Sequence, residues 1–328
     1  METILNGKKI LLLAPSFYNY YTSILKELEC RGAEVHLILE VHDPLYLYFF
    51  RKEKFIREQY TYKYYSSRIN NIQDVDYIFL IRGEAITTSI MELLIKKFPN
   101  ATKIMYQWDS FANNPNIKNI IHYFDKCFTF DPQDAQKYNW IYRPLFYLNS
   151  HANTKSHNKI YDFVFIGTLY YKRAKLLVNL KDFCKRNNYK LFHFLYVKKF
   201  EYFIHTKILR DSRYTILSLE DVNFVSLTNT EVENIYLNSK IFVDYTAENQ
   251  VGLTIRTIES IGNHSKIITN NKDIINADFY NPNNIYIYNI DNFQIPSDFI
   301  NSPYKELDAS LYKKYSLKGW IDDIFCGE

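Results

Sequence analysis

Lys8-Lys-Ile-Leu-Leu-Leu-Ala-Pro15 is a short continuous apolar run, the pattern of a strand buried on both faces of a parallel sheet. Ser16 to Arg31 follows with Tyr20, Ile24 and Leu28 at helical spacing, and Gly32 stands where a helix C-cap glycine belongs. Glu34-Val-His-Leu-Ile-Leu39 reads as the next strand. A strand–helix–strand unit of this size implies a right-handed parallel crossover.

The same alternation runs outward from that unit. Val75–Ile81, Lys103–Gln107 and Lys126–Phe130 read as strands, Thr87–Lys97 as a helix and Pro132–Tyr138 as a helical turn. Trp140–Arg143 is short and extended, ending at Pro144. Asn149–Asn158 is polar and aperiodic, the linker candidate. The pattern then restarts with strand Tyr161–Ile166, helix Arg173–Arg186 and strand Lys190–Val197. Helix Thr230–Asn238, strand Lys240–Asp244, helix Leu253–Gly262 and strand Ser265–Thr269 follow. The expectation is an α/β chain of two Rossmann-like, doubly wound domains facing a cleft, one over 1–150 and one over 151–302. Residues 303–328 read as C-terminal helices that could pack on either domain.

Length and composition agree with this. A chain of 328 residues suits two domains, and 47% hydrophobic with 23% charged residues is ordinary for a globular protein. A net charge of +4 gives no strong overall field for nucleic acid. No apolar run reaches the ~18 residues of a membrane span, and Met1–Lys9 has no signal-peptide pattern. Cys30, Cys127, Cys184 and Cys326 lie far apart with no C-x-x-C pair, against a zinc ribbon or disulfide framework. The expected location is cytoplasmic, with reduced thiols.

The second half holds the sharpest constellation, Val251-Gly-Leu-Thr-Ile-Arg-Thr-Ile-Glu259, where a loop becomes a helix. Gly252 lets backbone approach a ligand, and a helix N-terminus offers free N–H groups to phosphate. Arg256 and Glu259 share a helix face. A guanidinium binds phosphate by a forked pair of hydrogen bonds, and a carboxylate can accept both hydroxyls of a ribose. The alternative is a surface Arg–Glu pair on an amphipathic helix. Phe165-Ile-Gly-Thr-Leu-Tyr-Tyr-Lys-Arg173 follows the first strand of this half. Gly167 and Thr168 could pass close to a diphosphate that Lys172 and Arg173 neutralise. Its alternative is a strand-to-helix turn with a basic solvated face.

These two stretches, with Tyr106–Ser110, Phe124–Ala135, Arg143–Tyr147 and Lys266–Ile274, resemble the GT-B class of glycosyltransferases. Within it they look like bacterial enzymes of capsule or lipopolysaccharide assembly. The resemblance implies a nucleotide-sugar donor on the second domain and a glycan or lipid-linked glycan acceptor on the first. Gly167, Thr168, Lys172, Arg173, Gly252, Leu253, Thr254, Arg256 and Glu259 would then bind the donor, Glu259 at the ribose. It implies no metal and no other cofactor, and a C-terminal helix that returns to the first domain. One retaining group of this class has two glutamates eight positions apart; here Val251 stands eight before Glu259, and His264 replaces a later glycine. The stereochemistry is therefore not carried over. The rival expectations are a nucleotide-sugar epimerase of the same architecture and a catalytically inactive sugar-binding or partner protein. A NAD-dependent dehydrogenase is disfavoured, since Leu13–Phe17 lacks the glycine-rich loop.

An inverting transfer needs an acceptor-side base, and two carboxylates follow strands of the first domain: Asp109 and Glu84. Asp109 is preferred, because Trp108 beside it could stack on a sugar. The alternatives are an N-cap role for Asp109 and a turn carboxylate for Glu84. Asp74-Val-Asp76 is a D-x-D triplet that precedes its strand, at the wrong sheet edge for a diphosphate metal, and is read as a polar lead-in. His36 is read as a core histidine. Leu45–Tyr65 is aromatic and basic, either a packed helix, which is favoured, or a stretch facing anionic membrane near a lipid-linked acceptor. On the second of these readings peripheral contact with anionic membrane would be a further partner; nucleic acid is not expected.

Overall fold

A computed structural model of the chain describes residues 4–16, 20–40, 54–148, 159–169, 172–247 and 250–326. The linker candidate 149–158, residues 45–53 and Tyr170–Tyr171 lie outside them. The chain divides into two compact units, Met1–Pro144 with Leu317–Glu328, and Leu145–Ser316.

The first unit is a six-stranded parallel sheet in the order β2-β1-β3-β4-β5-β6. Its strands are β1 Lys9–Ala14, β2 Glu34–Leu39, β3 Tyr77–Ile81, β4 Thr102–Gln107, β5 Lys126–Thr129 and β6 Ile141–Tyr142. Helix α1 Tyr20–Cys30 carries the chain from β1 to β2 and buries Ile24 and Leu28. Gly32 ends it at φ +86, where a Cβ would come within 2.5 Å of Asn6. Successive side chains of β1 face opposite sides. Leu11 and Leu13 join a core with Ile78, Leu80, Ile90 and Leu94. On the other face Phe79 and Tyr106 pack on Trp320, at 5.8 and 4.7 Å between ring centroids. Both faces are covered, which is why β1 carries no polar alternation.

Helix α2 Lys54–Ile69 turns Thr61, Tyr65 and Ile69 inward, and Tyr64 Oη donates to the Leu39 carbonyl at 2.8 Å. Helices α3 Thr88–Lys97 and α4 Pro132–Tyr138 complete this unit's crossovers. Asp76 accepts from Lys9 N at 2.8 Å and pairs with Lys8 at 3.0 Å, tying the amino ends of β3 and β1 together. His36 is not a core residue: its ring is part exposed, 3.4 Å from Glu34. Its strand is the edge strand of the sheet among the described residues.

The second unit repeats the architecture in the order β12-β11-β10-β7-β8-β9, again all parallel. Its strands are β7 Tyr161–Thr168, β8 Leu191–Tyr196, β9 Val222–Asn223, β10 Ser239–Val243, β11 Lys266–Thr269 and β12 Ile285–Ile287. The main helices are α5 Arg173–Asn187, α6 Lys199–Phe203, α7 Asn229–Leu237 and α8 Ile255–Gly262. Leu176, Leu177 and Leu180 of α5 bury against Phe163, Phe165 and Leu195.

The segment 303–328 does not stay together. Helix α9 Ala309–Lys314 remains on the second unit, where Tyr312 stacks on His264 at 4.9 Å and donates to the Gly262 carbonyl. Helix α10 Leu317–Cys326 belongs to the first unit. There Asp322 pairs with Arg31, and Asp323 with Arg143, each at 2.6 Å. Among the described residues no helix is long and apolar enough to cross a membrane.

Candidate functional site

In an open parallel sheet, ligands sit beyond the carboxyl ends of the strands where the order reverses. In the second unit that point lies between β7 and β10, which pair directly. Arg256 spans it. One terminal nitrogen donates to Asp244 Oδ1, just past β10, at 2.8 Å; the other donates to the carbonyl of Ile166 in β7. Asp244 is fully buried and collects further hydroxyl donors: Thr254 at 2.9 Å, Thr246 at 3.0 Å and Thr269 at 3.0 Å. Burial works against the Arg256 charge, but Tyr236, Asp244 and Glu259 outweigh it and hold the guanidinium firmly protonated.

Arg256 and Glu259, expected from the sequence as phosphate fork and ribose acceptor, both lie inside this network. Arg256 is committed to the two strand ends, and Glu259 is 5% exposed within the same charge network. The reason is the spacing from Asp244: a fully buried carboxylate needs a cation, and the first turn of α8 supplies one. The loops around them keep more open groups. Thr254 caps α8 and leaves its first N–H groups at the switch point. Thr168 and Lys172 are exposed, and Arg173 donates to the Thr168 carbonyl at 2.9 Å. Gly167 lies beneath both guanidinium groups; a Cβ there would come 3.4 Å from Arg173 and 3.6 Å from Arg256. Gly252 and Leu253 are buried behind the cap. Thus Gly167, Thr168, Arg173, Thr254 and Arg256 converge on one strand edge.

Asp244, Asn270 and Asn271 escaped the sequence reading. Asn270 exchanges hydrogen bonds with the backbone of Thr246, and Asn271 donates to the Val251 carbonyl at 3.0 Å. The available signal was a carboxylate directly after a strand, in Phe242-Val-Asp244.

The first unit carries a second charged cluster at the carboxyl edge of its sheet. Arg82, just past β3, pairs with Asp109 at 3.0 Å and with Glu84. It takes a left-handed φ of +69, and its carbonyl accepts from Gln107 at 2.5 Å and Asn114 at 2.9 Å. The next described helical turn starts from Asn114 and not from Asp109, which shares one arginine with Glu84. Burial and the Glu84 charge raise the Asp109 carboxyl above its ordinary value, against the pull of Arg82. Trp108 is part exposed and meets Tyr20 edge-on at 6.4 Å.

Glu40, one residue past β2, was missed. It is 5% exposed, faces the backbone N–H groups of Gly83 and Glu84, and has one carboxylate oxygen without a hydrogen-bond partner among the described residues. Burial pushes its carboxyl up to about 7, with Glu84 adding to the shift and Arg82 opposing it. Among the described residues no group of His, Cys, Asp or Glu is arranged to hold a metal ion.

No family model matches the chain, and no curated protein matches it in sequence. Solved structures do match it. An alpha-glucosyltransferase solved with UDP and a mismatched DNA 13-mer aligns over 96% of this chain and 94% of its own, with TM-score 0.58 at 11% identity. The fold is GT-B. A glycosyltransferase from Rickettsia africae covers 98% and 94%, with TM-score 0.55 at 12% identity. A protein assigned as a UDP-N-acetylglucosamine 2-epimerase from Listeria monocytogenes covers 97% of each, with TM-score 0.53 at 10% identity. At such identities the likeness is one of GT-B architecture.

Proposed function

We propose that the chain is a glycosyltransferase that moves a sugar from a nucleotide-sugar donor to a glycan or lipid-linked glycan acceptor in cell-surface polysaccharide assembly. One observation carries this reading: the Gly167–Arg173 loop, the capped N-terminus of α8 and two guanidinium groups meet at the switch point of the second sheet. That edge suits a diphosphate, because helix N–H groups and cations are aimed at one place. Lys172 and Arg173 would take the diphosphate charge directly, while Arg256 holds the strand ends that form the floor. The bound UDP of the alpha-glucosyltransferase with the same fold supports a uridine nucleotide.

In this reading the leaving nucleoside diphosphate is stabilised by Lys172, Arg173 and the α8 dipole, so the reaction requires no metal. The acceptor side falls to the first unit, where Asp109 takes the proton of the attacking hydroxyl and Trp108 borders the sugar. Arg82 keeps Asp109 oriented for that transfer.

The experiment is thermal stabilisation by UDP-, GDP-, dTDP- and CMP-sugars, which grows with ln(1 + [L]/Kd). A shift with one nucleotide class, lost in Arg173→Ala with Lys172→Ala, is expected. No shift with any of them overturns the reading. The epimerase-like neighbour makes the second reading specific: interconversion of UDP-sugars without an acceptor would replace transfer by epimerisation.

A further inference from the structure

Between β8 and β9 the second unit carries short helical turns that face two ways. Helix α6 runs straight into a π-helical turn, Ile204–Ile208, and a further turn follows at Ser212–Thr215. The inner side is ordinary core. Tyr202 meets Phe224 at 5.6 Å, His205 stacks on Tyr214 at 4.4 Å, and Tyr214 and Leu217 are each 6% exposed. The outer side is not. Half of the exposed large apolar side chains among the described residues fall between 200 and 225. Phe200 is 75% exposed, Leu209 60% and Val225 80%, with Phe203, Ile208 and Leu219 beside them in sequence. An aromatic left this open offers area for a partner, since burying it is worth far more than leaving it in water.

The charges are sorted in the same way. Lys198, Lys199, Lys207 and Arg210 are exposed. The acids of the segment are mostly turned in: Glu201 accepts from Tyr214 at 2.9 Å, Asp211 pairs with His205 at 3.2 Å, and Asp221 is bound by Lys181 and Ser218. Glu220 alone among the segment's acids is exposed. Phe200 and Phe203, three apart on α6, are both exposed, and exposed Lys207 follows in the π-helical turn.

We propose that this outer face of residues 198–225 docks the protein on an anionic lipid surface, the rings and aliphatic side chains entering the headgroup boundary while the four basic groups meet lipid phosphates. Charge complementarity selects this occupant. A two-fold dimer through the same face would set the four cations against their own copies, which like-charge repulsion opposes. The segment leaves the sheet from the carboxyl end of β8, whose neighbour β7 ends in Gly167 and Thr168. The docking face stands independently of the sugar-transfer reading.

The test is co-sedimentation of the full chain with phosphatidylcholine vesicles, with and without phosphatidylglycerol, at low and high salt. Binding is expected only with phosphatidylglycerol and should weaken as salt screens the cations. The triple variant Phe200→Ser, Phe203→Ser, Leu209→Ser should bind at least about tenfold more weakly. Lys198→Glu with Lys207→Glu should do the same. Both variants change exposed positions, so their unfolding temperatures and nucleotide-sugar shifts should match the parent. No binding to phosphatidylglycerol vesicles, or equal binding by parent and triple variant, overturns the proposal. So does sedimentation of the parent as a dimer that the triple variant abolishes.

Discussion

Arg82 sits at φ +69, a conformation that a side chain with a Cβ adopts at some cost, and Gln107 and Asn114 hold its carbonyl there. The twist sends its guanidinium to Asp109 and Glu84 and turns the following N–H groups toward Glu40. Three carboxyl groups thus lie around one arginine, and burial raises the Glu40 carboxyl furthest into the protein's working range, to about 7. Its folded value, about 7, lies above the ordinary 4.5, so the folded chain binds this proton more tightly than the unfolded chain. The stabilisation is complete below about pH 4.5 and is lost as pH rises through about 7, a swing on the order of 3 kcal/mol. Glu40→Gln should therefore raise the unfolding temperature at about pH 8 and change it little at about pH 4.5. Parallel pH profiles for parent and variant would refute this. Asp109→Asn should abolish transfer while leaving the nucleotide-sugar shift intact, read by turnover and melting on the same sample. Asp244 is a different case, because its carboxylate is fully buried and satisfied by Arg256 and three hydroxyls. Asp244→Asn takes away the carboxylate to which that guanidinium donates, leaving Glu259 as the remaining acid of the network, and should cost about 3–5 kcal/mol in denaturant unfolding. These residues were hard to read because each looks like any polar residue after a strand. Their importance comes from neighbours far away in sequence, such as Arg82 for Glu40 and Ile166 for Arg256.

Helix α8 was legible as an element over Leu253–Gly262, and the structure begins it two residues later, at Ile255, with Thr254 as its N-cap. Thr254 does more than cap. Its hydroxyl accepts from Thr257 N and donates to Asp244, so one side chain joins the helix start to the strand end. Thr254→Ala should lose about 1–2 kcal/mol of stability and weaken the donor shift, while Thr254→Ser should retain most of both. Equal losses in the two variants would show that the methyl group, not the hydroxyl, matters. Helix α2 shows the reverse. Its run of tyrosines and lysines is open to two readings in sequence; over the part that is described, Thr61 and Tyr65 are buried while Ile56 and Tyr62 are exposed. The apolar-and-basic character sought there lies on residues 198–225. That stretch has no clean period in sequence, because its turns are short and switch from α to π geometry.

At the scale of the molecule, both units are six-stranded parallel sheets, though the strand order reverses between β1 and β3 in the first and between β7 and β10 in the second, and each unit's charged cluster lies at the carboxyl edge of its sheet. The second unit is continuous in the chain, from Leu145 to Ser316, but the first is completed by Leu317–Glu328. Trp320 is fully buried there against Phe79 and Tyr106. A fragment of residues 145–316 should unfold cooperatively on its own. A fragment of residues 1–144 should not, since it exposes the pocket that Trp320, Ile321 and Ile324 fill. Adding a peptide of residues 317–328 should restore its cooperative melt; a cooperative melt without the peptide would contradict the dependence. The alternation of strand and helix, the two-fold division of the chain and the glycine that ends α1 were all determined locally, because hydrophobic period and backbone φ are properties of neighbouring residues. Only the tertiary structure decided that Arg256 would be bound to Asp244 and Ile166, that Glu40 would lose its water, and that α9 and α10 would part company at Ser316. Each of these depends on which distant groups share a buried space, and desolvation is set by that shared space, not by the order of residues along the chain.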